Sequence, residues 1–355
     1  MSLLMRPIPI EGESAAGFLH RASELNACAT VFHLLKGSGV ALNEHTLKAC
    51  VLDRRRFHHI VSHLGLGDSC ADLVPLRAGP SRREGRYHHR VSLPDLCFRR
   101  ELLNTFCPAC LDESEHWRQQ WQLRPLSACT HHGCLLLTNC TKCGRRLRLG
   151  RPHMNRCDGC QTKLSTLTAT LVDTNSQKIA EGLINLGERH QLTDIWSFWT
   201  ALTLFDKSRN EPSEDHARFN LAMTFRECEE TAVIAMVRAI WARKDRVHPR
   251  IQMLPFLRGG KTLANFAERV LAKATADESP GTGHPQFRSL SKKDAQLVLQ
   301  LSAFQLSQAI EGKFLNWPTD GGRAQPIPVE RIEVALRESS LKISQSYFSW
   351  GRFDS

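Results

Sequence analysis

Missing from this sequence is any apolar run of about 18 residues, the length that a membrane-crossing helix needs. Its first residues carry only a short apolar run, which Pro7, Pro9 and Glu11 interrupt, so no signal peptide is predicted. We therefore expect a cytoplasmic protein with no membrane partner. In the reducing cytoplasm, cysteines paired two residues apart bind metal or carry out redox chemistry more often than they form structural disulfides.

Several enzyme motifs are also missing. No His-x-Glu accompanies the cysteine pairs, as a zinc deaminase would require. The Gly-Gly-Lys-Thr run at 259–262 resembles the end of a phosphate-binding loop, but Pro255 stands where the earlier glycine belongs. A thioredoxin-like site would carry one pair beside a βαβ pattern, and this chain has four pairs in helical surroundings. A dispersed acidic triad of a nuclease would leave no local pattern, and nothing points to one, so we expect no enzyme.

The chain is strongly basic, with a formal net charge of +11 over 355 residues. Much of the excess lies between Arg77 and Arg156, around a cysteine-rich stretch. Clustered basic charge favours a polyanionic partner, namely nucleic acid, a ribonucleoprotein or an acidic protein surface. The alternative is a basic surface that serves only solubility.

Helical patterns dominate residues 1–100. Ser14 and Thr30 are placed to cap two helices, and Asp53 is placed to cap another. The face of the last helix that we expect to be buried carries Phe57, Ile60, Val61 and Leu64 at helical spacing, and Gly65 closes it. A further helix precedes it across a tight turn. The pair is either a helix-turn-helix or two packed helices with a solvated basic face.

Helical periodicity fades over residues 104–165, where Cys, His, Gly and Arg dominate. This predicts a small region held by something other than a hydrophobic core. Periodicity returns over 166–275, and residues 276–286 read as a linker. Three apolar stripes there predict buried helix faces: Leu192, Ile195, Trp196 and Trp199; Val233, Met236, Val237, Ile240 and Trp241; and Leu263, Phe266, Ala267, Val270 and Leu271.

The last segment has its own plan. Ser291-x-x-Asp294 and Ser302-x-x-Gln305 resemble the capping boxes of two successive helices. A hairpin with its turn at 320–322 and a further helix follow. The order of helix, turn, helix, wing and helix is that of a winged helix-turn-helix, and the alternative is a helical cap with one loop.

Eight of the thirteen cysteines lie between Cys107 and Cys160, and their spacing predicts two metal sites. Zinc takes four ligands at tetrahedral corners, and a tight turn aims two ligands at one point. Cys107-x-x-Cys110, then eighteen residues, then Cys129-x-x-His132 would complete one such site. His131 and Cys134 are alternative ligands, but His132 restores the gap of two residues.

A second set follows the same rule. Cys140-x-x-Cys143, then thirteen residues, then Cys157-x-x-Cys160 supplies four thiolates. Each set fills all four corners, so we expect two structural zinc ions per chain and no corner for a reactive water. The remaining cysteines lack such spacing and are predicted to be buried or free thiols: Cys28, Cys50, Cys70, Cys97 and Cys228.

The sequence resembles the TniQ/TnsD family of transposition target-selection proteins. The opening stretch "PIPIEGESAAGFLHRASELN" is similar to the start of that family, with Glu13, Ser14, Leu19, Arg21, Ala22 and Asn26 in place. The central motifs match more tightly: "FCPACL" (106–111), "WRQQWQL" (117–123), "CTHHG" (129–133), "CTKCGRRL" (140–147) and "CDGC" (157–160). Thr130 stands where the family often has proline, which affects no ligand. The resemblance is moderate over 1–100 and weak beyond 160.

The resemblance implies a function that composition does not. Family members neither cut nor join DNA, and instead choose the target and bring the transposition AAA+ ATPase and the transposase to it. At this length the chain looks like the short members, some of which dock as dimers on a CRISPR Cascade ribonucleoprotein carrying crRNA. That subtype is favoured here. The alternative is a selector, TnsD-like or working with a resolvase-bearing transposon, that binds one DNA site without Cascade.

The fold prediction is a mainly α protein in four parts. These are a helix-turn-helix-like domain over 1–103, a tandem zinc-ribbon region over 104–165, a helical domain over 166–275 and a winged module over 287–355. The zinc region would join the helical domains, and helical faces would form the homodimer and the Cascade contact. Arg54, Arg55 and Arg82 would contact crRNA or DNA phosphates in a salt-sensitive way.

Overall fold

The structure is a computed structural model. It describes residues 3–36, 38, 43–74, 86–88, 91–93, 97–99, 104–205, 211–226, 231, 234–235, 248–272, 289–311, 315, 317–320 and 323–336. The described chain is mainly helical with a few short strands, as predicted. It divides into two compact units, Met1–Trp199 with Ser208–Arg226, and Thr200–Lys207 with Glu227–Ser355. The predicted division into four parts stays a prediction.

Four helices open the first unit: α1 (Ala15–Leu25), α2 (Val31–Leu34), α3 (Glu44–Val51) and α4 (Arg54–His63). The predicted caps are confirmed, because the side chains of Ser14, Thr30 and Asp53 accept backbone N–H groups of the first turns of α1, α2 and α4. Each cap satisfies a donor that the helix itself leaves unpaired.

The helices α3 and α4 form the predicted pair across a tight turn. Only Leu52 and Asp53 separate them. The apolar face of α4 is buried as predicted, and Gly65 follows it with a φ of 64°, the left-handed conformation in which glycine ends a helix without strain. A DNA-reading role for the pair stays a prediction.

Two strands interrupt the helical reading of residues 1–100. Strand β1 (Arg86–His88) pairs antiparallel with β2 (Val91–Leu93), and Arg86 lies opposite Leu93. Three-residue strands are too short to leave a recognisable alternation in the sequence, so the local pattern did not predict them.

The cysteine-rich region contains little regular structure: α5 (Pro108–Glu113), β3 (Ala128–Cys129) paired with β4 (Cys134–Leu135), and 3-10 turns at Gln119–Gln122 and Leu164–Thr166. The sequence suggested that metal ligands alone hold this region, but a hydrophobic core also holds it. Trp117 and Trp121 are buried with their ring centroids 5.6 Å apart, and they belong to one hydrophobic core with α1 to α4. The prediction of a region without such a core was therefore wrong.

Three longer helices follow: α6 (Asn175–Leu186), α7 (Arg189–Phe205) and α8 (Pro212–Arg226). The first predicted stripe is confirmed, because all four of its residues are buried on α7. The stripe that begins at Val233 lies outside the described residues. Unit assignment changes within α7, since the first unit ends at Trp199 and Thr200 begins part of the second.

In the second unit, the segment Glu227–Ser355 contains α9 (Pro249–Gln252), α10 (Leu254–Leu257) and α11 (Lys261–Ala272). Leu263, Phe266, Ala267 and Val270 are buried on α11, and Leu271 is half-buried. Arg250 donates to both carboxylate oxygens of Glu268 at 2.9 and 2.8 Å, which ties α9 to α11. The predicted linker at 276–286 lies outside the described residues.

The C-terminal elements follow the predicted order. Strand β5 (Ser289–Leu290) precedes α12 (Lys292–Leu299) and α13 (Ala303–Glu311), and both predicted capping boxes are present. Strands β6 (Thr319–Asp320) and β7 (Arg323–Ala324) form the hairpin. Strand β8 (Ile327–Pro328) returns to pair with β5, and residues 329–336 are helical (α14). A winged DNA-binding role stays a prediction.

None of the helices in the described part of the chain combines the length and apolarity that a bilayer crossing requires.

Candidate metal centres

The first predicted ligand set comes together in the structure. Cys107 caps α5, Cys110 lies in its first turn, Cys129 ends β3, and His132 lies in the turn before β4. The Nδ1 atom of His132 is 3.5 Å from Cys107 Sγ, 3.3 Å from Cys110 Sγ and 3.5 Å from Cys129 Sγ. All four ligand atoms lie within 4.8 Å of one another.

These distances fit a tetrahedral zinc ion. Bonds of about 2.3 Å to sulfur and about 2.0 Å to nitrogen place tetrahedral ligand atoms about 3.5 to 3.8 Å from one another. The Sγ atoms of Cys110 and Cys129 are 3.5 Å apart, in the same range. All three cysteines are buried, so a metal ion would supply the positive charge that their thiolates need.

The structure also distinguishes the two adjacent histidines as candidate ligands. His132 donates from Nε2 to Glu113 Oε1 at 2.9 Å, which aims its Nδ1 at the thiols. The His131 side chain is 66% exposed, and its Nε2 is 3.9 Å from Glu113 Oε2. A carboxylate that accepts from the far nitrogen of a ligand histidine is the usual support for such a ligand.

Cys134, the other alternative ligand, lies beside the first centre. Its Sγ is 3.7 Å from Cys107 Sγ, yet it is not one of the four atoms grouped within 4.8 Å. Its hydrogen bond with Cys107, and then its burial, raise the pKa of the Cys134 thiol. The geometry therefore favours a neutral Cys134 thiol that donates to the Cys107 sulfur.

The second predicted set also comes together. Cys140 Sγ lies 3.6 Å from Cys160 Sγ, and Cys143 Sγ lies 3.6 Å from Cys157 Sγ. The four sulfur atoms are within 4.8 Å of one another. The Gly159 amide donates to Cys157 Sγ at 3.3 Å, and hydrogen bonding to Thr162 lowers the pKa of Cys160 to about 6. Both contacts favour the thiolate form that a metal requires.

One backbone device builds all four ligand turns. The amide of the residue after the second ligand donates to the carbonyl of the first: Leu111 to Cys107 at 3.1 Å, Gly133 to Cys129 at 2.8 Å, Gly144 to Cys140 at 2.8 Å and Gln161 to Cys157 at 2.9 Å. The last three donors have positive φ values of 62°, 71° and 59°. Such a turn points both of its candidate ligand side chains the same way, which is why spacing alone could predict that they would come together.

Sequence reasoning missed two buried polar clusters in this unit. Gln177 on α6 is fully buried, accepts from the Ala128 amide at 2.9 Å and lies 2.9 Å from His216 Nδ1. Asp215 on α8 is fully buried and receives three guanidinium groups, from Arg124 at 2.9 Å, Arg218 at 3.1 Å and Arg99 at 3.5 Å. Arg124 precedes Asp215 by 91 residues, so no local pattern could have revealed the pair.

The three arginines predicted to contact nucleic acid do not share one environment. Arg54 pairs with Asp72 on the surface. Arg55 is exposed on α4, next to the exposed Arg56. Arg82 lies outside the described residues. The described cysteines beyond the two centres are free thiols, as predicted, and burial raises the pKa of Cys97. Cys228 lies outside the described residues.

Together these features define a helical protein built around two cysteine-rich centres, each with the four donors that fill a tetrahedral site. Residues 4–136 match the family model described as TniQ. This part of the chain therefore carries a TniQ domain, which confirms the resemblance seen in its sequence. No curated protein matches the chain.

Proposed function

We propose that this protein is a non-catalytic adaptor that docks, as a dimer, on a Cascade ribonucleoprotein. It recruits the transposition AAA+ ATPase and the transposase for RNA-guided insertion of DNA in the cytoplasm. The observation that carries the proposal is the TniQ match over residues 4–136, which supports a role in target selection. Two four-donor metal centres support the non-catalytic reading, because a catalytic zinc keeps one position for water or substrate.

We propose zinc at both centres, two ions per chain. Three thiolates with one imidazole, and four thiolates, are the two donor sets that zinc occupies in structural sites. Metal analysis of reduced protein should give two zinc per chain, and Cys143→Ser should lower that number and destabilise the fold. A value near zero in the reduced wild-type protein would refute the assignment.

The second candidate is a selector that recognises one DNA site by itself. What favours it is the α3–α4 pair with its exposed Arg55 and Arg56, together with the winged order of the C-terminal elements. Against base readout from α4 stands Arg54, whose guanidinium is already paired with Asp72. Arg54, Arg55 and Arg82 are therefore proposed as phosphate contacts on crRNA or DNA.

A mobility-shift assay separates the two candidates. The isolated protein is titrated onto a target duplex, enriched by the protein from a pool of random sequences, and onto a shuffled duplex of equal length, with and without purified Cascade. The adaptor predicts weak binding to both duplexes alone and a stable complex once Cascade is present. Tight binding by the isolated protein to the target duplex only would overturn the adaptor proposal in favour of the selector.

A further inference from the structure

Three arginines lie against one metal-binding turn, Cys157–Gln161. The Arg145 side chain lies across Gly159 so closely that an added Cβ there would be 2.9 Å from its Cδ. Arg148 donates from Nε to Asp158 Oδ2 at 2.6 Å. Arg156 donates from Nη1 to the Gln161 carbonyl at 3.2 Å. Because all three rest on the same five-residue turn, they form one surface, which we call the arginine surface.

This surface carries more positive charge than its neighbours offset. All three arginines are exposed, and the Arg148 side chain remains 65% exposed although it is paired. Asp158, whose side chain is 2% exposed, is the one carboxylate that contacts them among the described residues. Lys142, in the adjoining ligand turn, is also exposed. Part of this charge offsets the thiolates of the second centre, so a test must separate that role from binding.

The backbone beneath the arginine surface is fixed in advance. The Cys157 sulfur accepts from the Gly159 amide, and Gln161 closes the turn onto the Cys157 carbonyl at 2.9 Å. A guanidinium presents several donors in a plane and matches a phosphate group in a bidentate way. Guanidinium groups placed on a rigid turn lose less freedom on binding than those on a free loop.

We propose that the arginine surface, Arg145, Arg148 and Arg156, contacts the phosphate backbone of duplex DNA without reading its bases. The choice of duplex DNA rests on the proposed function in transposition. The positive charge lies beside the second metal centre. It is separate from α4, which carries two of the nucleic-acid contacts predicted from the sequence, Arg54 and Arg55. The contact adds affinity for DNA near the insertion site and leaves target choice to other surfaces.

The test compares two charge-matched double variants of the full chain in binding to a random duplex over a series of salt concentrations. Arg145→Gln with Arg156→Gln spares the Arg148–Asp158 pair and should weaken binding about tenfold at fixed salt. It should make the slope of log affinity against log salt less steep by about 2, one unit for each lost phosphate contact. The charge-matched comparison variant, Arg55→Gln with Arg56→Gln, removes the same charge from α4 instead of from the arginine surface.

Several results would overturn the inference. The first is unchanged affinity in the Arg145/Arg156 variant, with loss only in the α4 variant. Another is equal absence of duplex binding by all proteins, the wild type included, at low salt. A loss restricted to an RNA hairpin would make RNA the partner instead. Zinc content is measured in each protein, and Arg145→Lys with Arg156→Lys, which keeps the charge but loses the bidentate geometry, should lose less affinity than the glutamine variant if phosphate contact is the cause.

A measurement on the wild-type chain covers the case in which the glutamine variant loses its metal. Phenylglyoxal, an arginine-selective dicarbonyl, should label Arg145 and Arg156 in the free protein and label them less when duplex DNA is bound. Equal labelling with and without DNA would overturn the inference. Neither experiment involves Cascade, so a negative result here leaves the docking proposal standing, and a failure to dock leaves this one standing.

Discussion

Glu113 Oε1 lies 2.9 Å from Nε2 of His132, while the other ring nitrogen of His132 faces three thiols. The carboxylate thereby fixes both the tautomer and the ring orientation that a metal ion needs. Apart from Cys110, Glu113 is the one side chain of α5 to which the described contacts give a role at the first centre.

Replacing Glu113 should therefore weaken the first centre alone. Glu113→Ala is expected to reduce zinc affinity there by about 10- to 100-fold, the usual effect of removing such a partner. A competition titration with a metal-binding dye measures both centres, and the second should be unchanged. Asp112→Asn is the control, because Asp112 lies 3.7 Å from Lys163 and makes no contact with His132 in the described residues. Equal weakening by both variants would contradict the assigned role.

Cys134 and Cys129 should respond differently to the same substitution. Cys129→Ser removes a ligand, so the zinc content should fall from two to one per chain. Cys134→Ser replaces the S–H donor to Cys107 with an O–H donor, so the chain should keep two zinc ions. Metal content measured by atomic emission decides the matter. A chain with serine at 134 that held only one zinc would make Cys134 the ligand in place of His132.

Asp215→Asn should be strongly destabilising. The buried carboxylate is shared by Arg99, Arg124 and Arg218, whose side chains are 5%, 8% and 4% exposed. Removing one member of a buried charge cluster leaves the others uncompensated, which costs about 3 to 5 kcal/mol. Denaturant unfolding measures the loss. Glu214→Gln, which removes a half-exposed partner of Arg218, should cost less than about 1 kcal/mol.

Acid should destabilise the protein through His20. Its Nε2 lies 2.6 Å from the Leu149 carbonyl, and burial, followed by the nearby Arg151, lowers the pKa of His20 to about 3. The unfolded chain takes up this proton near pH 6.5 and the folded chain does not, so stability is lost as the pH falls below 6.5. Between pH 6.5 and 5.5 this linkage removes about 1 kcal/mol.

His20→Gln should flatten that part of the pH profile, measured as the free energy of unfolding in denaturant. His33→Gln, which removes a surface histidine, should leave the profile as it is in the wild type. Because proton-driven metal loss is common to all three proteins, only the difference between them reports on His20. An unchanged slope in the His20 variant would refute the assignment.

Local patterns predicted what local geometry builds. The eight predicted ligands follow from turns of four residues, and the caps at Ser14, Asp53 and Ser291 follow from side chains that reach three residues ahead. What the sequence did not predict depends on partners far apart in the chain. Gln177 meets Ala128 across 49 residues, and Asp215 meets Arg99 across 116. Such pairings arise from packing, and they leave no periodic trace.

The core of the first unit has a consequence for how the chain is made. It runs from Ala15 to Leu164 without a division between helices and cysteine-rich region, although the family match ends at residue 136. During synthesis, α1 and α4 therefore emerge long before Leu149 and Leu164, which belong to the same core. Synthesis proceeds at about 5 to 20 residues per second. The first part of the core therefore stays exposed on the ribosome until the later residues are synthesised and metal binds, and chaperones can bind its apolar surface in that time.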